Sequence, residues 1–346
     1  MSDTPVLADS VRITDDAVEI LDRRVYPFEV RWVRCTTSEE VATAIERMVT
    51  QSSGPLFAAT AGLVLAAREA RREPPEEAVA HLRRAGARLI ATRPTNNHIR
   101  DAVQGVLGVV LDGPEAASGT ELVEAVTRAA HAHDAAYRER SAALGRHAAS
   151  LLGDGARVLT HCWADAFLIA TVRAARSAGK HLEFVCTETR PYLQGARLTA
   201  ATLVEMGYRP TLITDGMVAA ALADGLADVA LTAADRVTLD GHVVNKVGTL
   251  GVALAANAFG VPYHALIDAP DPQARTIDDV VIERRDGDEV LHVLGRRTAA
   301  EGVVGYYPAF DATPPRLVTR IVTEHGVYEP SRVRDHFAVS GHTEES

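Results

Sequence analysis

The sequence predicts an α/β protein, with a small N-terminal β-meander and helical domain over residues 1–153 and a Rossmann-like parallel-sheet domain over residues 154–346. Three observations carry this. A chain of 346 residues is long enough for two domains of ordinary size. Up to Leu152 the apolar residues recur mostly at helical spacing, whereas after "GDGAR" short apolar runs alternate with helix-length segments. Strand and helix in alternation imply βαβ units and a parallel sheet covered on both faces.

In chain order, "VRITDDAVEILD" and "FEVRWVRC" are short apolar segments broken by Asp15-Asp16 and Tyr26-Pro27, the pattern of a meander. "TTSEEVATAIERMV" begins the helices, with a capping box at Thr37 and Glu40 and Val41, Ile45, Met48 and Val49 on one face. "LFAATAGLVLAAREARRE" ends at Pro74-Pro75, "EEAVAHLRRAGARLIAT" ends at Pro94, and a long periodic stretch from Thr120 to Leu152 completes the set. The strands of the second domain are "VLTHC", "LEFVCTE", "PTLITD", "ADVALTAAD" and "PYHALI". In such sheets ligands lie beyond the carboxyl ends of the strands. Thr160-His161-Cys162, Thr187 to Arg190, Asp215 and Asp235 all fall there.

Composition narrows the function. With 36 basic against 46 acidic residues the formal charge is −10, which opposes nucleic acid and anionic membranes as partners. "MSDTPVLADS" has no basic-then-apolar leader and no apolar run approaches the ~20 residues of a membrane span, so a cytoplasmic protein is expected. Cys35, Cys162 and Cys186 are sparse and lack CxxC spacing, so free thiols are expected and no structural zinc. Neither GxGxxG after the first strand nor GxxxxGK[ST] occurs, which removes the main support for dinucleotide or nucleoside-triphosphate binding.

Each strand-end residue has a functional reading and a structural one. Cys162, at a strand-to-helix junction, would have its thiol acidified by helix amides and serve as base or nucleophile; otherwise it packs, as free cysteines commonly do. Asp235 is a general acid if burial raises its pKa, or a helix cap. Arg190 and Gln194 suit oxyanions or hydroxyls, or belong to a polar surface turn. "NKVGTLG" sets Asn245 and Lys246 at the start of an apolar helix whose amides favour an anion, or at a solvated helix start. His161 and His242 lack metal-ligand spacing and read as structural.

"LTHC", "TETRPYLQGARLTA", "AADRVTLDGHVVNKVGT" and "YYPAFDATPPRLVTRIVTEHGVYEP" closely resemble signature blocks of the methylthioribose-1-phosphate isomerase family, whose relatives include archaeal ribose-1,5-bisphosphate isomerase and regulatory subunits of the eukaryotic exchange factor for translation initiation. "ILDRRVYPFEVRWVRCTTSEEVATAIERMV" and "TRPTNN" extend the resemblance over nearly the whole chain. It implies a helical N-terminal domain before a Rossmann-like one, assembled as a homodimer. It implies Cys162 and Asp235 as the catalytic pair, with substrate contacts from Arg93, Gln194, Asn245 and Lys246. The activity implied is conversion of methylthioribose 1-phosphate, or a related 5-modified or 5-deoxy pentose 1-phosphate, to the ketose 1-phosphate, a step of methionine salvage. A ribose-1,5-bisphosphate isomerase and, from another class, a non-catalytic sugar-phosphate or nucleotide sensor are the alternatives.

The chemistry suits these residue types. An aldose 1-phosphate cannot open as a free hemiacetal does, so its ring oxygen must be protonated as the bond to C1 breaks, and Asp235 is the candidate acid if it is buried in a closed site. Hydrogen then moves from C2 to C1. Either Cys162 removes the C2 proton in an enediol path, or the pair handles hydroxyl protons around a hydride shift. Neither path requires a metal or organic cofactor, so none is expected.

Three departures surround the site. Family enzymes carry an "RGAPAIG"-like phosphate loop where this chain has "TQSSGPLFAA", from Thr50 to Ala59, without the arginine; Ser52, Ser53 and Gly54 are the remaining candidate donors. Losing such a ligand costs roughly 1.5–3 kcal/mol. Trp163 stands where a smaller polar residue is usual, and Ala234 replaces a glycine. The retained pair points to preserved chemistry on an altered substrate.

Overall fold

A computed structural model describes residues 4–93, 97–111 and 119–339. Over these the chain forms two compact units, one from Val6 to Glu139 and one from Arg140 onward that also takes in Thr4 and Pro5. The expected α/β architecture is present.

The first unit opens with an antiparallel meander of β1 (Val11–Ile13), β2 (Val18–Leu21) and β3 (Trp32–Cys35). Val18 pairs with Cys35 and Ile20 with Val33, so Val18, Ile20 and Cys35 share the face that enters the core. The helices are α1 (Ser38–Glu46), α2 (Gly54–Glu69), α3 (Pro75–Ala91), α4 (Asn97–Leu111) and α5 (Gly119–Ser150), whose residues from Arg140 on are counted in the second unit. The capping box forms as the sequence implies: Glu40 N donates to Thr37 Oγ1, and the Glu40 carboxylate accepts from Thr37 N, both at 3.2 Å.

α2 is buried almost all round, which explains its alanine and glycine content. A Cβ on Gly62 would lie 3.1 Å from Leu89 and 3.2 Å from Val41, so α1 and α3 approach closely only because that side is bare. Sequence periodicity passes over α4. Its run of valines with Gly105 and Gly108 has weak helix propensity, and tertiary burial of Ile99, Ala102, Val103, Val106 and Val110 decides the outcome.

Within this unit Asp134 of α5 is 8% exposed and accepts a 2.9 Å hydrogen bond from Thr60 of α2. Burial raises its carboxyl to about 7, against the opposing effects of the Thr60 bond and of Arg138. The folded state therefore holds this proton more tightly than the unfolded chain, whose value is about 3.9. Stability falls as pH rises from about 4 to about 7, and the whole cost is present above that window. Asp134→Asn is expected to raise stability at pH 8 by roughly 1–3 kcal/mol, with the gain vanishing near pH 4, as read from urea denaturation at both pH values.

The second unit is built on β4 (Ala156–Thr160), β5 (Leu182–Thr187), β6 (Thr211–Ile213), β7 (Val229–Ala233), β8 (Arg236–Val237), β9 (Val243–Lys246), β10 (Tyr263–Leu266), β11 (His292–Val293), β12 (Arg296–Arg297), β13 (Phe310–Thr313), β14 (Arg320–Val322) and β15 (Val327–Tyr328). Seven of these make one sheet in the order β15-β14-β10-β7-β4-β5-β6, parallel except for β15. From β4 the chain winds outward through α6 (Asp165–Ser177) to β5, through α7 (Ala200–Glu205) to β6, and returns through α8 (Val218–Ala223) to β7 on the other side of β4. The winding thus reverses between β4 and β7. In a doubly wound sheet that switch point opens a crevice at the strands' carboxyl ends.

A second, antiparallel sheet of order β13-β9-β8 stands beside the first, with α9 (Thr249–Ala258) following β9. It corrects the sequence reading of "NKVGTLG": Asn245 and Lys246 end a strand, and the helix begins at Thr249. The first amides of α9 are not free for an anion either. Asp311, cross-strand partner of Asn245, accepts from Gly248 N at 2.7 Å and from Leu250 N at 3.1 Å. Among the described residues, no helix is long and apolar enough to cross a membrane.

Candidate active site

Cys162, Thr189, Asp215 and Asp235 each lie two residues beyond the ends of β4, β5, β6 and β7. Short hydrogen bonds join the first three. Cys162 N donates to Thr189 Oγ1 at 2.9 Å, while Thr189 N and Arg190 N donate to the two oxygens of Asp215 at 2.8 and 2.7 Å. His161 is 2% exposed; its Nε2 donates to the Val247 carbonyl at 3.0 Å, so its Nδ1 accepts from the Thr187 hydroxyl at 2.7 Å. Burial holds its pKa below the usual imidazole range and keeps it neutral. The structural reading of His161 is the one the geometry supports.

His161 presses on the turn after β9. Gly248 has φ 108°, and a Cβ there would come within 2.8 Å of the imidazole. Gly248→Ala is expected to cost roughly 2–4 kcal/mol through strain and overpacking, and to move Lys246 off its position; thermal melting and KM would both report it.

Backbone strain concentrates around these loops. Cys162 (φ 65°), Asp165 (φ 46°), Thr189 (φ 62°) and Leu193 (φ 58°) all occupy the left-handed region, where side chains are disfavoured. Each costs of order 1 kcal/mol and persists only where the surroundings impose it. For Cys162 they are its amide bond to Thr189 and a hydrogen bond from Thr199 Oγ1 to its carbonyl.

Electrostatics around Cys162 corrects the idea that helix amides acidify it. Burial pushes the thiol up to about 11, Asp235 and Asp215 push the same way, and Lys246 with the Trp163 backbone amide only partly oppose them. α6 begins three residues on, at Asp165. At neutral pH Cys162 is a thiol. Lys246, only 8% exposed, lies over the Phe310 ring of the adjacent strand at 4.8 Å. Asn245 is buried and donates to Thr249 Oγ1 at 3.0 Å. Asp235 is exposed, with its own amide bonded to the Val244 carbonyl at 2.9 Å.

Gln194 leads into a π-helical turn at Gly195–Thr199, a distortion often found at functional sites. Gly195 allows it: a Cβ there would sit 1.9 Å from the Thr187 carbonyl oxygen. Gln194 is buried, yet its Oε1 has no hydrogen-bond partner, and the same holds for Trp163 Nε1, Thr160 Oγ1 and Tyr307 OH. Native interiors rarely tolerate such atoms without a reason. Tyr307 is a residue the sequence reading missed; it is buried, and Cys162 is among the groups that raise its phenol above the usual range. The signal available in the sequence is the paired tyrosine of "YYPAF".

The first unit holds the other candidates. Gly54 opens α2, and a Cβ on it would overlap Thr50 Oγ1. Ser53 is buried; Ser52 is exposed at φ 56°, and Met48 at φ 60° shows the same strain. Arg93, half-buried after α3, points its guanidinium at the Ile45 carbonyl and the Met48 sulfur, at the root of this loop.

A family model described as the initiation factor 2 subunit family matches residues 51–330. The chain belongs to that family. Its relatives in the initiation factor 2 subunit family include the methylthioribose-1-phosphate isomerases of Pelotomaculum thermopropionicum, 38% identical with 94% of this chain and 92% of that protein covered, and of Thermotoga neapolitana, 37% identical with 92% and 94% covered. Among solved structures, 5-methylthioribose 1-phosphate isomerase from Pyrococcus horikoshii OT3 superposes with a TM-score of 0.88 at 30% identity, covering 98% of this chain and 100% of that one. Subunit delta of translation initiation factor eIF-2B from A. fulgidus gives 0.83 at 33% identity, with 93% and 96% covered. With relatives of this closeness the chain is an enzyme, an isomerase of the intramolecular oxidoreductase class.

Proposed function

We propose that the enzyme converts methylthioribose 1-phosphate, or a related 5-modified or 5-deoxy pentose 1-phosphate, to the corresponding ketose 1-phosphate through acid-assisted ring opening at Cys162 and Asp235. The observation that carries this is the placement of these two residues beyond β4 and β7, on either side of the switch point, with Lys246 near enough to act on the thiol. The buried unpartnered atoms of Gln194, Trp163 and Tyr307 offer hydrogen bonds to sugar hydroxyls.

The proton inventory supports one division of roles. Asp235 would serve as the acid only inside a closed site, and it is exposed; Cys162 holds its proton at neutral pH and is the better donor to the ring oxygen. As the ring-oxygen bond to C1 breaks, that oxygen becomes the C4 hydroxyl. Hydride moves from C2 to C1 while Asp235 takes the C2 hydroxyl proton, giving the C2 ketone with the phosphate still on C1. Return of the proton from Asp235 to Cys162 closes the cycle. Lys246 and Asn245 hold the phosphate or an adjacent hydroxyl. A homodimer and a place in methionine salvage complete the proposal.

The test incubates the purified protein with a panel of pentose 1-phosphates, including methylthio and 5-deoxy forms, and follows ketose formation by NMR in deuterated water. Turnover without deuterium at C1 supports the hydride path. No turnover of any member by folded protein sinks the assignment.

The loop departure has its own prediction. Thr50 and Gln51 are buried, so the position open to a longer side chain is Ser52. Ser52→Arg is expected to tighten binding of inorganic phosphate at this loop by about tenfold, the effect of one added charge-assisted contact, as isothermal titration will show.

A further inference from the structure

The turn joining β14 to β15 carries a second cluster of titratable side chains, separate from the crevice. Glu324 and His325 occupy the turn, which a 2.8 Å bond from Thr323 N to the Gly326 carbonyl closes, and His336 opens the short helix His336–Val339. One potential ligand atom from each of Glu324, His325 and His336 falls within 4.8 Å of the others. The two imidazoles stack with centroids 4.6 Å apart at 30°.

The surrounding bonds leave the right atoms available. His336 is buried, and its Nδ1 pairs with Thr323 Oγ1 at 2.9 Å, so Nε2 is the nitrogen left to bind. This is the outer hydrogen bond that fixes the ring of a metal-bound histidine. Glu324 divides its oxygens: Oε2 lies 3.3 Å from Arg140 Nε, and Oε1 faces His325 Nε2 at 3.6 Å. Two imidazoles and a carboxylate thus share one small volume, an arrangement that a dication would bridge.

We propose that Glu324 Oε1, His325 and His336 form a binding site for a divalent first-row transition metal of the zinc class, with solvent completing the coordination. Two imidazoles with one carboxylate select such ions over magnesium or calcium, which prefer oxygen. Tetrahedral binding at about 2.0–2.1 Å brings ligand atoms to about 3.3 Å from one another, so the cluster must tighten. Glu324 and His325 are partly exposed and can rotate inward toward the fixed His336. The bound ion would tie the β14–β15 turn to the C-terminal helix.

The experiment uses the full chain, without an affinity tag, after dialysis against a chelator. Cobalt(II) is titrated in while visible d–d absorption is followed, and zinc then competes it out. One saturable equivalent is expected, with binding weakened at least about tenfold in His325→Ala and in Glu324→Gln. Zinc at about a hundredfold above Kd should raise the melting temperature by roughly 5 °C in the native chain and not in these variants. Because His336 is buried and its replacement can disturb folding, the two partly exposed residues carry the test. Absence of saturable binding overturns the proposal, as does a site whose affinity survives both variants or follows Cys162→Ser instead.

Discussion

Replacing Cys162 by serine is expected to lower kcat on a pentose 1-phosphate by about 10²–10⁴-fold while leaving the fold intact, the range for loss of one general acid or base. Serine preserves what shapes the turn. The amide bond to Thr189 Oγ1 and the carbonyl bond from Thr199 Oγ1 are both made by the backbone of residue 162, so neither depends on sulfur. What changes is acidity, since a hydroxyl surrenders its proton far less readily than a thiol. The wild-type pH profile carries the complementary prediction. The thiol lies at about 11, so a Cys162 that donates its proton gives a kcat/KM that is level from pH 7 to about 9 and declines as pH nears 11. Activity rising over the same interval would assign Cys162 to the base role and exclude it as the donor.

Much of the site was legible because the parallel-sheet rule converts a one-dimensional pattern into a place. Thr160 to Cys162, Thr187 to Arg190, Asp215 and Asp235 each end an apolar run, and the topology brings those run ends to one edge. The pattern could not show what pairs across sequence. β8, β9 and β13 are short and gain their hydrogen bonds from one another, so Asn245 and Lys246 read as a helix start although they end a strand. Asp311, some sixty residues away, takes the amides that a helix start would offer a ligand. Burial was equally hidden. A carboxylate after a strand suggested an enclosed acid and a cysteine before a helix suggested an acidified thiol, and both inferences reversed once exposure was known. α4 was missed for the opposite reason, because its helicity comes from packing and not from propensity.

Asp235→Asn is expected to reduce kcat by about 10²–10⁴-fold, with a stability change within roughly 0.5 kcal/mol because the side chain is exposed and the bond to the Val244 carbonyl is made by its amide. The coupling with Cys162 is the sharper result. Groups that pass protons in one step act as a unit, so the double variant Cys162→Ser, Asp235→Asn should be no slower than about the worse single variant. Full additivity would mean that the two residues act independently, which contradicts a shared proton cycle. A second readout needs no substrate. The Asp235 charge is one of the groups raising the Cys162 thiol, so its removal should lower that pKa and speed alkylation of Cys162 by iodoacetamide at pH 9 by about two- to tenfold. Cys35 and Cys186 are buried and serve as internal references, with alkylation sites assigned by peptide mass. An unchanged alkylation rate at Cys162 would show that the carboxylate does not reach the thiol, and the proposed return of the proton between them would lose its physical basis.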